Sequence, residues 1–173
     1  MLPSIQSDPA IQPPADLPLT TLREAIRQAA NQYFRLVILA GVPGSGKTAA
    51  LQSIAHQAGC HIVNVNLELS KKMLELTRTQ RSRQVERLLK EVIAAAPGDV
   101  VLLDNVEILF DTGLEVEPLR LLQISSRNRT LVATWNGSYA GGTLTYAEPG
   151  HPEFVQFKQV DAVVIPVGNS TAS

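Results

Sequence analysis

One stretch constrains this chain more than any other: Leu36-Val-Ile-Leu-Ala-Gly41-Val-Pro-Gly44-Ser-Gly46-Lys47-Thr48. An apolar run leads into G-x-x-x-x-G-K-T, and Ala49-Ala50-Leu51-Gln52-Ser53-Ile54 follow with helical spacing. That is the order a P-loop requires: a buried strand, a glycine-rich loop and a helix N-terminus. Gly41, Gly44 and Gly46 let the backbone reach positive φ and leave room for phosphate oxygens against the main chain. Successive N–H groups then converge on an anion at the positive end of a helix dipole. Lys47 is expected to reach the β- and γ-phosphates, and the Thr48 hydroxyl to be a ligand of Mg²⁺. The cradle expected for ATP thus comprises Gly41, Pro43, Gly44, Ser45, Gly46, Lys47, Thr48 and Ala49. The bland alternative is an ordinary Gly/Pro turn before a helix.

The remaining composition mostly excludes. A chain of 173 residues with 45% hydrophobic content suits one globular domain. A net charge of −1 favours no partner, so any nucleic-acid surface has to be a local patch. The single cysteine, Cys60, rules out an intramolecular disulfide and a cysteine-based zinc cluster. Met1 to Pro18 lacks a basic segment followed by an apolar core, so no signal peptide is expected. No apolar run approaches the roughly 18 residues of a membrane span, which leaves a reducing cytoplasm as the expected setting.

Residues 1–18 carry Pro3, Pro9, Pro13, Pro14 and Pro18 and read as a flexible arm; residues 19–168 read as the folded domain, and 169–173 as a polar tail. Thr21-x-x-Glu24 has capping-box spacing and predicts a helix from Thr21 to about Gln32, beside a first strand at Arg35 to Ala40. The helix after the loop runs from Lys47 to Ala58 and stops at Gly59. His61 to Asn66 alternates and reads as a second strand, while Leu67 to about Thr79 is ambiguous. Arg81 to Ala96 forms a helix with Val85, Leu88, Leu89, Val92 and Ile93 on one face. Val100 to Asp104 is an unbroken apolar run, as in a central parallel strand. A helix over Leu114 to Ser126 and a fourth strand over Thr130 to Trp135 follow. Gly137 to Gln159 is loop-rich with a short hairpin near Thr143 to Ala147, and Ala162 to Pro166 is a last strand. The alternation predicts a three-layer α/β P-loop NTPase core with a mostly parallel sheet of about five strands. Only loop and strand patterns follow Asn136, so a separate helical lid domain is not expected.

Asp104, ending the apolar strand, has the form of a Walker B carboxylate that would hold Mg²⁺ opposite Thr48. The arrangement resembles the additional-strand, AAA-like P-loop ATPases. In those a glutamate follows this aspartate directly; here the position is Asn105, and Glu107 is the candidate base that would polarise water. The resemblance also implies that the fourth strand lies between the P-loop and Walker B strands and offers a polar group to the γ-phosphate. Asn136 and Thr134 are the candidates, although Asn136-Gly137 also has the form of a turn. Arg120, Arg127 and Arg129 precede that strand; in a homo-oligomer one of them could act in trans as an arginine finger, and surface solvation is the alternative.

Lys71, Lys72, Arg78, Arg81, Arg83, Arg87 and Lys90 are answered within the same stretch only by Glu75 and Glu86. Arg78, Arg81, Arg83, Arg87 and Lys90 are candidates to track the backbone of double-stranded DNA. A solvated helix face is the competing reading.

A more specific resemblance is carried by the P-loop, Leu103-Asp104-Asn-Val-Glu107, Glu117-Pro-Leu-Arg-Leu-Leu122, Ser126-Arg-Asn-Arg129, Ala133-Thr-Trp-Asn-Gly137 and Tyr146-Ala-Glu-Pro-Gly-His-Pro-Glu153. Over about residues 20–168 the chain resembles BrxF, the P-loop protein family of type 3 BREX phage-resistance systems. The resemblance implies a bacterial cytoplasmic protein that binds ATP and works with other BREX proteins. A slow or partner-activated ATPase, with nucleotide state controlling assembly, is the expectation. A small nucleoside or nucleotide kinase and a non-hydrolysing ATP-bound adapter are the alternatives.

Overall fold

The computed structural model describes residues 17–168. The proposed tail, and all of the proposed arm but its last two residues, lie outside them.

Hydrophobic periodicity decides the layering. Strand β1 (Leu36–Gly41) is buried along its whole length, so it must be covered on both faces. Leu36, Ile38 and Ala40 point into one core with Val85, Leu89, Val92 and Trp135, while Val37 and Leu39 point into another with Leu22, Leu51 and Ile54. Strand β3 (Val100–Asp104) divides in the same way: Val101 and Leu103 face the first core, Leu102 the second. Helices α1 (Leu19–Ala29) and α2 (Lys47–Ala58) supply one outer layer. Helices α3 (Val65–Met73), α4 (Arg78–Ala94) and α5 (Pro118–Ser125) supply the other.

With β2 (His61–Asn64), β4 (Thr130–Ala140) and β7 (Val163–Pro166), the parallel sheet runs β2-β3-β4-β1-β7. Strand β4 therefore lies between the P-loop strand and the Asp104 strand, and the architecture is the expected three-layer α/β P-loop NTPase core. Beyond the parallel sheet, β4 continues into an antiparallel ribbon with β5 (Thr143–Tyr146) and β6 (Val155–Phe157). Gly141 and Gly142, at φ 57° and 80°, make the two-residue turn between β4 and β5. Among the described residues no helix follows α5.

Several local expectations give way. The Thr21–Glu24 capping box does not form: α1 starts earlier, behind Pro18, and Glu24 pairs with Arg27 at 2.6 Å. Strand β2 stops at Asn64 because that side chain accepts the Leu67 N–H (3.1 Å) and caps α3, which takes up most of the ambiguous stretch. The following helix begins at Arg78 rather than Arg81, behind a capping box of Thr77 and Gln80. The predicted helix over 114–126 is shorter, α5 alone, with 3-10 turns at Glu107–Phe110 and Thr112–Leu114 ahead of it. Glu115 in the left-handed region (φ 53°) and Pro118 at the first helical turn enforce that break. Asn136-Gly137 is no turn either; the strand runs through it to Ala140.

Candidate nucleotide site

The carboxyl ends of β1, β3 and β4 open into one cleft of about 450 Å³, lined among others by Gly44, Lys47, Thr48, Asp104, Glu107, Thr134 and Asn136. This is where a doubly wound sheet places ligands, beyond the carboxyl ends of its strands. Gly44 and Gly46 take φ 81° and 101° across the loop, and Gly46 occupies the N-cap of α2. A Cβ on Gly41 would collide with Ser45 and with the Val167 carbonyl, so the loop can close only over a glycine there.

Lys47 is buried and donates to the carbonyls of Gly41 (2.6 Å) and Val42 (2.8 Å), with the Ser45 hydroxyl at 3.3 Å. Burial lowers its pKa from 10.5, opposed by the charges of Glu107 and Asp104. One residue on, the exposed Thr48 hydroxyl donates to Asp104 Oδ2 at 2.9 Å. The other oxygen, Oδ1, accepts from the Thr134 hydroxyl at 2.9 Å and from the Asn105 N–H at 3.0 Å. A carboxylate held by three donors, one on helix α2, one on strand β4 and one in the loop after β3, is oriented before any ligand arrives.

Glu107 opens the 3-10 turn behind Asn105, which takes a left-handed φ of 53°. Burial pushes the Glu107 carboxyl above its ordinary value, with repulsion from Asp104 adding to it and Lys47 and nearby N–H groups opposing. Asn136 closes the cleft from β4; its carbonyl accepts from Ala147 N–H at 3.0 Å, which ties the antiparallel ribbon to the site.

The donor set fits magnesium bound together with phosphates. Among the described residues no cluster of three or more His, Cys, Asp or Glu could hold a metal ion alone. Thr48 and Asp104 instead offer hard oxygens 2.9 Å apart beside a phosphate cradle. That is the ligand economy of Mg²⁺, which is held by one or two protein oxygens, waters and substrate phosphates.

Other predicted residues stand elsewhere. Arg129 donates to the carbonyls of Ile93 (2.7 Å), Ala96 (2.7 Å) and Gly98 (2.5 Å), closing the end of α4. It sits just before the amino end of β4, opposite this chain's own cleft, and three of its five N–H groups are engaged in these bonds. Arg127 lies 4.6 Å from the Tyr33 ring, and Arg120 is exposed on α5. Along α4, Arg87 is bonded to Glu91 (2.7 Å) and Gln84 (2.6 Å), and Lys90 to Glu86 (3.3 Å). Arg81 is turned to the Leu76 carbonyl (3.1 Å), and Arg78 packs against Gly113, while Arg83 is exposed. The basic stripe is thus partly neutralised by its own helix.

Asn105, marked from sequence only as the residue in place of a glutamate, lines the cleft. One contributor was not singled out from sequence: Asn66, which bonds to the turn that carries Glu107. The reading of residues 61–66 as strand concealed Asn66.

The family model for the ATPase family associated with various cellular activities (AAA) matches residues 37–123. No curated protein matches the chain. Among solved structures, C. elegans PCH-2 is 18% identical with a TM-score of 0.45, the match covering 87% of this chain and 42% of that one. Drosophila ORC bound to DNA is 20% identical with a TM-score of 0.43, covering 86% and 41% respectively. The chain therefore spans about two-fifths of the length of these solved chains. No helix of the described residues is long and apolar enough to cross a membrane.

Proposed function

This chain belongs to the AAA family of ATPases, and on that premise we propose that it hydrolyses ATP slowly, or under the control of a partner, in a bacterial BREX-type anti-phage system. Its nucleotide state governs assembly on DNA or with other defence proteins, in the cytoplasm. The observation that carries the catalytic part is the closure of Thr48 onto Asp104 across 2.9 Å, with Glu107 lining the same cleft. The defence role is supported by the resemblance of the later motifs, Ala133-Thr-Trp-Asn-Gly137 above all.

The chemistry assigned to this chain's residues is the following. The amides from Gly44 to Thr48 and the Lys47 ammonium bind the β- and γ-phosphates and neutralise charge that spreads over the transferred group. Thr48 and Asp104 would hold Mg²⁺, which supplies electrostatic stabilisation of the phosphates when bound. Asn136 offers its amide to a γ-phosphate oxygen at the end of β4. Glu107 orients a water and takes its proton as the water oxygen bonds to the γ-phosphorus and the bond to ADP breaks. A base with a carboxyl raised by burial is better matched to that proton than an ordinary surface carboxylate. Asn105, standing where relatives of this class carry the glutamate, makes the turnover slow.

Calorimetry with MgATP and phosphate release, with and without duplex DNA, test this reading. Wild type is expected to bind and turn over, Lys47→Ala to lose binding, and Glu107→Gln to bind without turning over. A wild-type protein that gives no binding heat and no phosphate overturns it. Binding with equal turnover in wild type and Glu107→Gln would instead remove Glu107 as base.

A further inference from the structure

The turn that carries Glu107 is attached to α3 by a reciprocal exchange. A helix leaves its first N–H groups without intrahelical partners. In the first turn of α3, the Asn66 N–H finds one in the Asn105 carbonyl at 2.8 Å. In the 3-10 turn Glu107–Phe110, the Ile108 N–H finds one in Asn66 Oδ1 at 2.7 Å. Asn66 thus donates through its backbone and accepts through its side chain, gripping both sides of Glu107. Val106 and Glu107 lie between the two bonded positions, and Asn105, the first of the two, is held in the left-handed region at φ 53°.

Resting on the assignment of Glu107 as base, we infer that Asn66 is a positioning residue for hydrolysis: its side-chain oxygen fixes where the Glu107 carboxylate meets water, and it takes no part in nucleotide binding. The cradle and the metal ligands sit on other elements, and Asn66 is not among the residues that line the cleft. Removing the acceptor frees the Ile108 N–H and lets the turn rotate about Val106. The consequence falls on the chemical step, where a small misplacement of a base is costly.

Asn66→Ala and Asn66→Asp separate this from general structural support. An aspartate keeps the acceptor, and its charge is favourable in the first turn of α3. Turnover, MgATP affinity and exchange of the Ile108 amide are measured in both variants beside wild type and Glu107→Gln. Asn66→Ala is expected to lose about tenfold or more in kcat with KM and MgATP affinity within about twofold, and to exchange the Ile108 amide faster. Asn66→Asp is expected to restore kcat to within about threefold of wild type. If Asn66→Ala keeps wild-type kcat, or loses affinity in proportion to kcat, or if Asn66→Asp fails to restore kcat, the inference is wrong while the reading of the site stands. If wild type and Glu107→Gln turn over alike, the reading of the site fails and takes this inference with it.

Discussion

Thr134 donates its hydroxyl hydrogen to Asp104 Oδ1 over 2.9 Å, both side chains buried between adjacent strands. Thr134, a candidate from sequence for contact with the γ-phosphate, lines the cleft with its hydroxyl engaged by the carboxylate. Thr134→Val keeps the shape and deletes that donor. Leaving a buried acceptor with a partner fewer costs about 1–3 kcal/mol, which thermal or urea unfolding of the ligand-free protein will read. Because Asp104 keeps Thr48 and the Asn105 N–H, MgATP binding is expected to weaken modestly, by about tenfold or less. Unchanged stability would show that the hydroxyl is solvated in the free protein.

Glu107→Gln should separate stability from activity. The Glu107 carboxyl is raised above its ordinary 4.5 mainly by burial, so the fold prefers it protonated. The sign follows from linkage: this preference favours folding below the unfolded-state pKa and is lost as pH rises through the folded-state value. A glutamine is neutral throughout. The ligand-free variant is therefore expected to be more stable than wild type at pH 7, the two converging as pH falls below about 4.3. Melting temperatures across pH 3.5 to 8 check this, and a variant less stable than wild type at neutral pH contradicts it. In wild type, turnover should rise with pH through an apparent pKa above the ordinary carboxylate range.

Arg129 makes three bonds to carbonyls in the last turn of α4 and the segment after it, those of Ile93, Ala96 and Gly98. Arg129→Ala should cost about 2–3 kcal/mol in unfolding free energy, the usual scale for losing bonds from a charged donor. Arg129→Lys should recover only part of it, because an ammonium cannot reproduce the planar fork. Phosphate release per folded molecule should stay at the wild-type level in both variants. A loss of turnover without a loss of stability would instead support a finger role for Arg129.

The fold was readable where one signal acted alone. The P-loop, the buried Val100–Asp104 strand and the Gly59 stop each have a local cause, and each sits where its pattern put it. Legibility failed where two local chemistries competed for the same residues. His61 to Asn66 alternates like a strand, but Asn64 turns the chain into α3 by accepting from Leu67. Thr21 and Glu24 have the spacing of a cap, yet Pro18 starts the helix a turn earlier and Glu24 finds Arg27. The meeting of Thr48, Asp104, Glu107 and Asn136 followed from motif order. The Asn66 grip did not, because it joins residues 42 apart through a backbone N–H that no side-chain pattern announces.

Gly137 is the position at which the parallel sheet hands over to the antiparallel ribbon, and its reason is steric. A Cβ there would overlap the Thr145 carbonyl oxygen on the paired strand. The ribbon in turn places Tyr146 flat against Phe110, ring centroids 3.4 Å apart, and Phe110 ends the 3-10 turn that Glu107 begins. Gly137→Ala should therefore force β5 away from β4 and loosen the Phe110 end of that turn, with β1 to β4 of the parallel sheet intact. The expected signature is a loss of near-ultraviolet signal from the Trp135 environment, since its indole N–H is bonded to the Thr145 carbonyl at 3.1 Å. Turnover should fall along with it, while MgATP affinity, set by the loop between Gly41 and Thr48, changes little. If Gly137→Ala keeps both the near-ultraviolet spectrum and the rate, the ribbon has room to shift and plays no part in holding the site.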